Sequence, residues 1–198
     1  MADICIFAAS SPNIDDKYIA AAESFGRCLA EQGFDLIFGG GRTGLMGACA
    51  RGVYSKGGRV VGVIPEKLNQ PGIPFEHCSE MIVTKDMHER KATMERLSSG
   101  FVTLPGGVGT LEELMEVLTL NQLGYIDAPV VIFNQDGFYN NLLAQFDAYQ
   151  TAADLASDDQ DATKVSSFLK ATITVDDATG ETAVVSDYVA QKTLENLE

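Results

Sequence analysis

Apolar residues follow two alternating rhythms along this chain. Short unbroken runs occur at "DICIFAAS" (3–10), "FDLIF" (34–38), "RVVGVIP" (59–65), "MIVT" (81–84), "FVTL" (101–104) and "APVVIFN" (128–134), and they have the length and β-branched or aromatic content of strands buried on both faces. Between them apolar residues recur at helical spacing. "DDKYIAAAESFGRCLAEQG" at 15–33 predicts a helix stopped by Gly33, "LMGACARGVYSKGG" at 45–58 one closing at Gly57 and Gly58, and "MHERKATMERLSS" at 87–99 a third. Two more follow, over 110–124 and, from "GFYNNLLAQFDAYQ", over 137–150. Strand then helix, repeated with apolar strands, predicts an α/β fold: a Rossmann-like doubly wound parallel sheet with helices on both faces. The regular pattern fills residues 1–150 of what is expected to be a single domain over 1–198. Beyond it, "TAADLASDDQDATK" reads as a polar linker, while "ATITVDDATGETAVVSDYVAQKTL" fits either a hairpin followed by a helix or a strand followed by a long helix.

Composition narrows what such a sheet can serve. With 198 residues, 45% of them hydrophobic, the chain can bury one sizeable core. No stretch approaches the roughly 20 apolar residues of a membrane span, and "MADICIFAAS" lacks the basic start and cleavage site of a signal peptide, so a cytoplasmic protein with no membrane partner is expected. A formal net charge of −14 makes nucleic acid a poor partner, so a nucleotide ligand needs a local device to hold its phosphate. From residue 151 onward ten acidic residues stand against three lysines, which reads as a solvated acidic surface, with a salt-adapted source as the lesser alternative. Cys5, Cys28, Cys49 and Cys78 form no C-x-x-C pair and read as reduced core residues. His77 and His88 lack metal-ligand spacing, so no metal site is expected.

Two glycine turns stand where strands end and helices begin, the usual ligand edge of an open parallel sheet. The first, Gly39-Gly40-Gly41-Arg42-Thr43-Gly44, satisfies G-x-G-x-x-G, with Glu66 at the end of the next strand. It follows the second strand rather than the first and leaves the other turn unexplained, so NAD binding is disfavoured. The second turn is Pro105-Gly106-Gly107-Val108-Gly109-Thr110. Glycines there let the backbone approach an anion, and helix N–H groups can hold a phosphate. Thr110 and Glu113 also fit a T-x-x-E capping box, in which the glutamate would only return to the backbone of Thr110. Upstream, "DMHERKATMER" gathers Arg90, Lys91 and Arg96, the densest positive cluster in an acidic chain. Cations near a helix start oppose the dipole unless an anion visits, although a solvated face or a salt bridge to Asp86 or Glu89 would also account for them. Glu112 reads as an ordinary first-turn acid.

"GGGRTGLMG", "MHERKA" and "PGGVGTLEEL", in this order and spacing over about residues 3–150, resemble the signature blocks of the LOG ("lonely guy") family of cytokinin-activating nucleoside 5'-monophosphate phosphoribohydrolases. The resemblance implies hydrolysis of the N-glycosidic bond of a purine or cytokinin ribonucleoside 5'-monophosphate, without metal or redox cofactor. It implies Arg90 and Glu113 as the catalytic pair, and Ser10, Lys91, Gly106, Gly107, Val108, Gly109, Thr110 and Thr119 as substrate contacts. As the C1'–N bond breaks, positive charge grows on the ribose. Glu113 would stabilise that charge or activate water, and Arg90 would orient the phosphate or ribose, or keep Glu113 ionised. Ala9 replaces the family's usual glycine before Ser10 and Ser11, Val108 stands where plant members commonly have tyrosine, and the segment after 150 diverges. The helix over 110–124 is apolar on more than one stripe, which predicts subunit contact, and the family's dimers point the same way to a homodimer. A non-catalytic nucleotide-binding or carrier protein is the alternative. The lysine decarboxylase label borne by some relatives is not expected to apply, since no pyridoxal-phosphate site is recognisable.

Overall fold

The computed structural model describes residues 3–155 and 171–173, with side chains described over 3–149. Seven strands, Asp3–Phe7 (β1), Asp35–Phe38 (β2), Val60–Pro65 (β3), Glu80–Thr84 (β4), Gly100–Thr103 (β5), Val130–Phe133 (β6) and Ala171–Ile173 (β7), form one sheet in the order β4-β3-β2-β1-β5-β6-β7. Every pairing is parallel. The helices are Asp16–Glu31 (α1), Gly44–Ser55 (α2), Met87–Leu97 (α3), Val108–Gln122 (α4) and Asn140–Leu155 (α5). The alternation of strands and helices expected from the sequence is the one observed.

Strand side chains alternate between two cores, one on each side of the sheet. Ile4, Ile6, Leu36, Phe38, Val102 and Phe133 face α1 and α2, which contribute Phe25, Leu29, Leu45, Cys49 and Val53. Cys5, Phe7, Ile37, Val63, Phe101 and Ile132 face the other way, toward Met94 of α3, Leu114 and Val117 of α4, and Phe146 of α5. The central strands are largely apolar because both faces are covered, whereas the edge strand β4 is mostly half-buried or exposed. Helices α1 and α2 touch backbone to backbone: a Cβ on Gly26 would lie 2.1 Å from the Cys49 carbonyl oxygen, and one on Gly52 2.1 Å from that of Glu23.

Three local outcomes differ from the sequence expectation. Helix α4 begins at Val108 rather than 110, with Gly107 as its N-cap and no side-chain cap. Helix α5 runs on to Leu155, into the stretch read as linker. Of the segment whose form was left open, Ala171–Ile173 is a parallel edge strand beside β6, and the rest lies outside the described residues. Among the described residues no helix is long and apolar enough to cross a membrane.

Strand order reverses between β1 and β5. The chain leaves β1 toward α1 on one face and leaves β5 toward α4 on the other, so a crevice opens between the two carboxyl ends, where ligands bind in sheets of this kind. Its two lips are tied together, since the Ala9 N–H donates to the Pro105 carbonyl at 3.2 Å.

Candidate functional site

The two glycine turns have different local roles. In the first, α2 begins under the end of β1: the N–H of Leu45 donates to the Ala9 carbonyl at 2.9 Å and the Thr43 hydroxyl to the Ser10 carbonyl at 2.7 Å. Gly44 has φ +66, and a Cβ there would lie 2.2 Å from the Ala9 carbonyl oxygen, so this glycine is required by a turn and a close approach at once. That helix start is occupied by the protein's own carbonyl. Glu66 opens a short 3-10 turn and is exposed. The dinucleotide fingerprint is therefore accounted for by packing between β1, β2 and α2.

The second turn is open. Leu111 is the first residue of α4 to donate within the helix, to the Gly107 carbonyl at 3.0 Å, which leaves the N–H groups of Val108, Gly109 and Thr110 at the uncapped end. A Cβ on Gly107 or Gly109 would meet no atom within 4 Å, and Val108 is 84% exposed. Gly106 instead packs on Thr110, whose hydroxyl oxygen would lie 2.2 Å from a Cβ there, and Thr110 is buried. Below, the buried Tyr139 donates its hydroxyl to the Leu104 carbonyl at 2.8 Å and receives the Gly106 N–H; burial raises its pKa more than that hydrogen bond lowers it. Tyr139 thus holds the turn from beneath.

The capping box is not formed. With Gly107 as N-cap, Thr110 is the third helical residue and Glu113 lies in the second turn, where its carboxylate accepts a hydrogen bond from Arg90 Nη1 at 2.8 Å. Both side chains are nearly buried, at 8% and 12% exposure. Arg90 Nε also donates to the Val63 carbonyl at 3.1 Å. Asp86 and Glu89, the alternative partners, serve the backbone: Asp86 accepts the Glu89 N–H at 2.9 Å and Glu89 accepts the Lys85 N–H at 2.9 Å. Burial raises the Glu113 pKa, and Arg90, by charge and hydrogen bond, offsets this only in part. Glu113 thus stands under two opposed influences, desolvation and the adjacent Arg90 cation.

Lys91, the next residue on α3, has its ammonium on Glu112 and, at 2.8 Å, on Glu116. Desolvation acts to lower its pKa, but the two carboxylates prevail and raise it. Glu112 is therefore an ion-pair partner rather than an ordinary first-turn acid. Glu95 lies in the same cluster, and burial, reinforced by Glu116, pushes its pKa up to about 7. Of the other expected contacts, Ser10 is exposed at the β1 lip of the crevice. Thr119 is six residues past Glu113, roughly 9 Å of helix rise, with its hydroxyl donating back to the Met115 carbonyl at 2.7 Å. Within this chain Thr119 stands apart from the cluster.

The sequence reading missed Gly39 and Tyr139. Gly39 was visible in the dinucleotide fingerprint and in the block "GGGRTGLMG", neither of which gives it a role of its own, and its neighbour is the Arg90 guanidinium. Tyr139 had no local signal, because its partners are 33 to 35 residues away.

Comparison with known proteins bears on the family and the fold. Residues 46–174 match a family described as "Possible lysine decarboxylase". The chain is 46% identical over 144 residues to the probable cytokinin riboside 5'-monophosphate phosphoribohydrolase LOGL6 of Oryza sativa subsp. japonica, covering 73% of this chain but 58% of that protein. It is 46% identical over 144 residues to the cytokinin riboside 5'-monophosphate phosphoribohydrolase LOG4 of Arabidopsis thaliana, covering 73% and 67%. Among solved structures it is similar to the molybdenum cofactor carrier protein of Chlamydomonas reinhardtii, with a TM-score of 0.66, 18% identity and 98% of each chain covered, a likeness of fold.

Proposed function

The chain belongs to the LOG family of cytokinin riboside 5'-monophosphate phosphoribohydrolases, and from that premise we propose that it hydrolyses the N-glycosidic bond of purine or cytokinin ribonucleoside 5'-monophosphates, releasing free base and ribose 5-phosphate. The observation that carries the proposal is the buried Arg90–Glu113 pair beside an uncapped glycine helix start. In this reading the N–H groups of Val108, Gly109 and Thr110, with the positive end of the α4 dipole, hold the 5'-phosphate, and Ser10 meets it from the opposite lip. Phosphate binding then places the scissile bond near Glu113. A carboxylate with raised proton affinity is a better acceptor for a proton from water, and in its ionised form it stabilises the ribosyl cation as the base departs. Arg90 is the fixed cation that orients it. Lys91 acts at one remove, through Glu112 and Glu116.

The family description as a possible lysine decarboxylase finds no support in these side chains. A Schiff-base lysine requires a depressed pKa, whereas Lys91, the buried lysine among the described residues, is held protonated by two carboxylates. The free thiols of the buried Cys5 and Cys49 suit a reducing, cytoplasmic setting. We also propose one domain over the whole chain and a homodimer in which a second copy covers α4, where Met115 on the helix and Leu123 at its C-cap are 37% and 64% exposed.

The test is incubation of the pure protein with AMP, GMP and N6-prenylated AMP, with separation of base from ribose 5-phosphate, for wild type and Glu113→Gln. Wild type should release base, and the variant should lose at least about 100-fold in kcat while keeping its fold and nucleotide affinity. Nucleotide binding with no base from any substrate would support the carrier reading instead.

A further inference from the structure

The Arg90 guanidinium is fixed on three sides. Nε donates to the Val63 carbonyl, Nη1 to Glu113, and Nη2 lies over Gly39, so close that a Cβ on that glycine would be 2.1 Å from Nη2 and 3.3 Å from Cζ. The Met46 sulfur flanks the same spot, 3.6 Å from the Gly39 Cβ position and 3.3 Å from that of Gly41. Gly39 follows directly on β2 and its backbone lies outside the left-handed region, so alanine is conformationally allowed there. The atoms that would have to move are those at the end of the Arg90 side chain, since the Met46 sulfur at 3.6 Å is in ordinary van der Waals contact.

We infer that Gly39 is a positioning residue: the absence of its side chain seats the Arg90 guanidinium at the height where it meets both Glu113 and the substrate. The first glycine turn then serves the chemistry without touching phosphate. A methyl group at 39 lifts or rotates the guanidinium while the fold is retained, because the displaced atoms are side-chain termini rather than backbone. The inference rests on the hydrolase reading for its kinetic consequence and on geometry alone for its structural one.

Gly39→Ala, Arg90→Gln and wild type are compared. For Gly39→Ala the expected result is a cooperative melt close to wild type and a loss of at least about tenfold in kcat, the scale of an ångström-level misplacement. The KM for AMP and the inhibition constant of ribose 5-phosphate should stay within about threefold, because the helix start that holds phosphate is untouched. The Nε–H resonance of Arg90, assigned by its loss in Arg90→Gln, should move. An unmoved resonance, or a kcat within about twofold of wild type, overturns the inference, and so does a loss confined to KM. If wild type releases no base, or Arg90→Gln turns over normally, it is the catalytic reading that fails, and the resonance still decides whether Gly39 seats the guanidinium.

Discussion

At the scale of single residues, chemistry is concentrated where charge is taken out of water. Arg90 and Glu113 form one such pair, and beside it on the same two helices the buried Lys91 meets the more exposed Glu112 and Glu116. Glu95 joins the second group without a cation of its own. Its folded pKa of about 7 lies above the ordinary 4.5, so folding favours the protonated acid. The resulting penalty is absent below about pH 4.5, grows as pH rises to about 7, and is constant above. Glu95→Gln removes the titration, so the variant's melting temperature should gain on wild type between about pH 5 and about pH 8, followed by circular dichroism. An equal change in both proteins would show that Glu95 is not the group responsible. The Arg90–Glu113 pairing was expected from the family resemblance, whereas the grouping of Lys91 with Glu112 and Glu116 was not readable beforehand. The sequence presents Lys91 and Glu112 as a cation and an acid 21 positions apart, and only the docking of α3 against α4 makes them neighbours.

At the scale of elements, periodicity located the strands and helices because both faces of the sheet are buried and the helices are amphipathic or small-sided. The start of α4 was misplaced for a specific reason. T-x-x-E is a sound local signal, but Gly107 adopts the extended N-cap conformation, φ −93 and ψ −158, and so moves the helix start forward. That shift frees Glu113 for Arg90 and leaves the first N–H groups uncapped. The strand end and helix start are then held by Tyr139, which belongs to the loop before α5. In Tyr139→Phe the Leu104 carbonyl and the Gly106 N–H lose their partner, at a cost of about 1–3 kcal/mol. The KM for AMP should rise severalfold with a smaller change in kcat, because the turn rather than the charged pair is loosened. Urea denaturation and steady-state kinetics on the same samples check both, and an unchanged KM would leave Tyr139 with a packing role only.

At the scale of the whole molecule, the sheet order supplies the site: β1 and β5 are neighbours, so Ser10 and the second glycine turn face each other across one crevice. The doubly wound class was legible from the strand–helix alternation, whereas strand order was not, since parallel strands of similar composition can be permuted without altering the hydrophobic pattern. The outer surface of α4 belongs to this scale too. Leu123, 64% exposed, is placed in the proposed homodimer interface. Leu123→Glu should weaken self-association at least about tenfold in sedimentation velocity, because a charge would be buried there. A wild-type chain that sediments as a monomer at all concentrations would remove the dimer from the account.

The connection between β4 and β5 carries one more consequence. The chain goes from the far edge of the sheet to its centre through α3, passing beneath β3, β2 and β1; Arg90 lies within that traverse, and Glu113 comes after it, on the helix that follows β5. During synthesis the arginine emerges before its carboxylate, and a nascent chain ending at α3 contains Arg90 but neither Glu113 nor the uncapped start of α4. The charged pair is thus complete only once α4 is in place against α3.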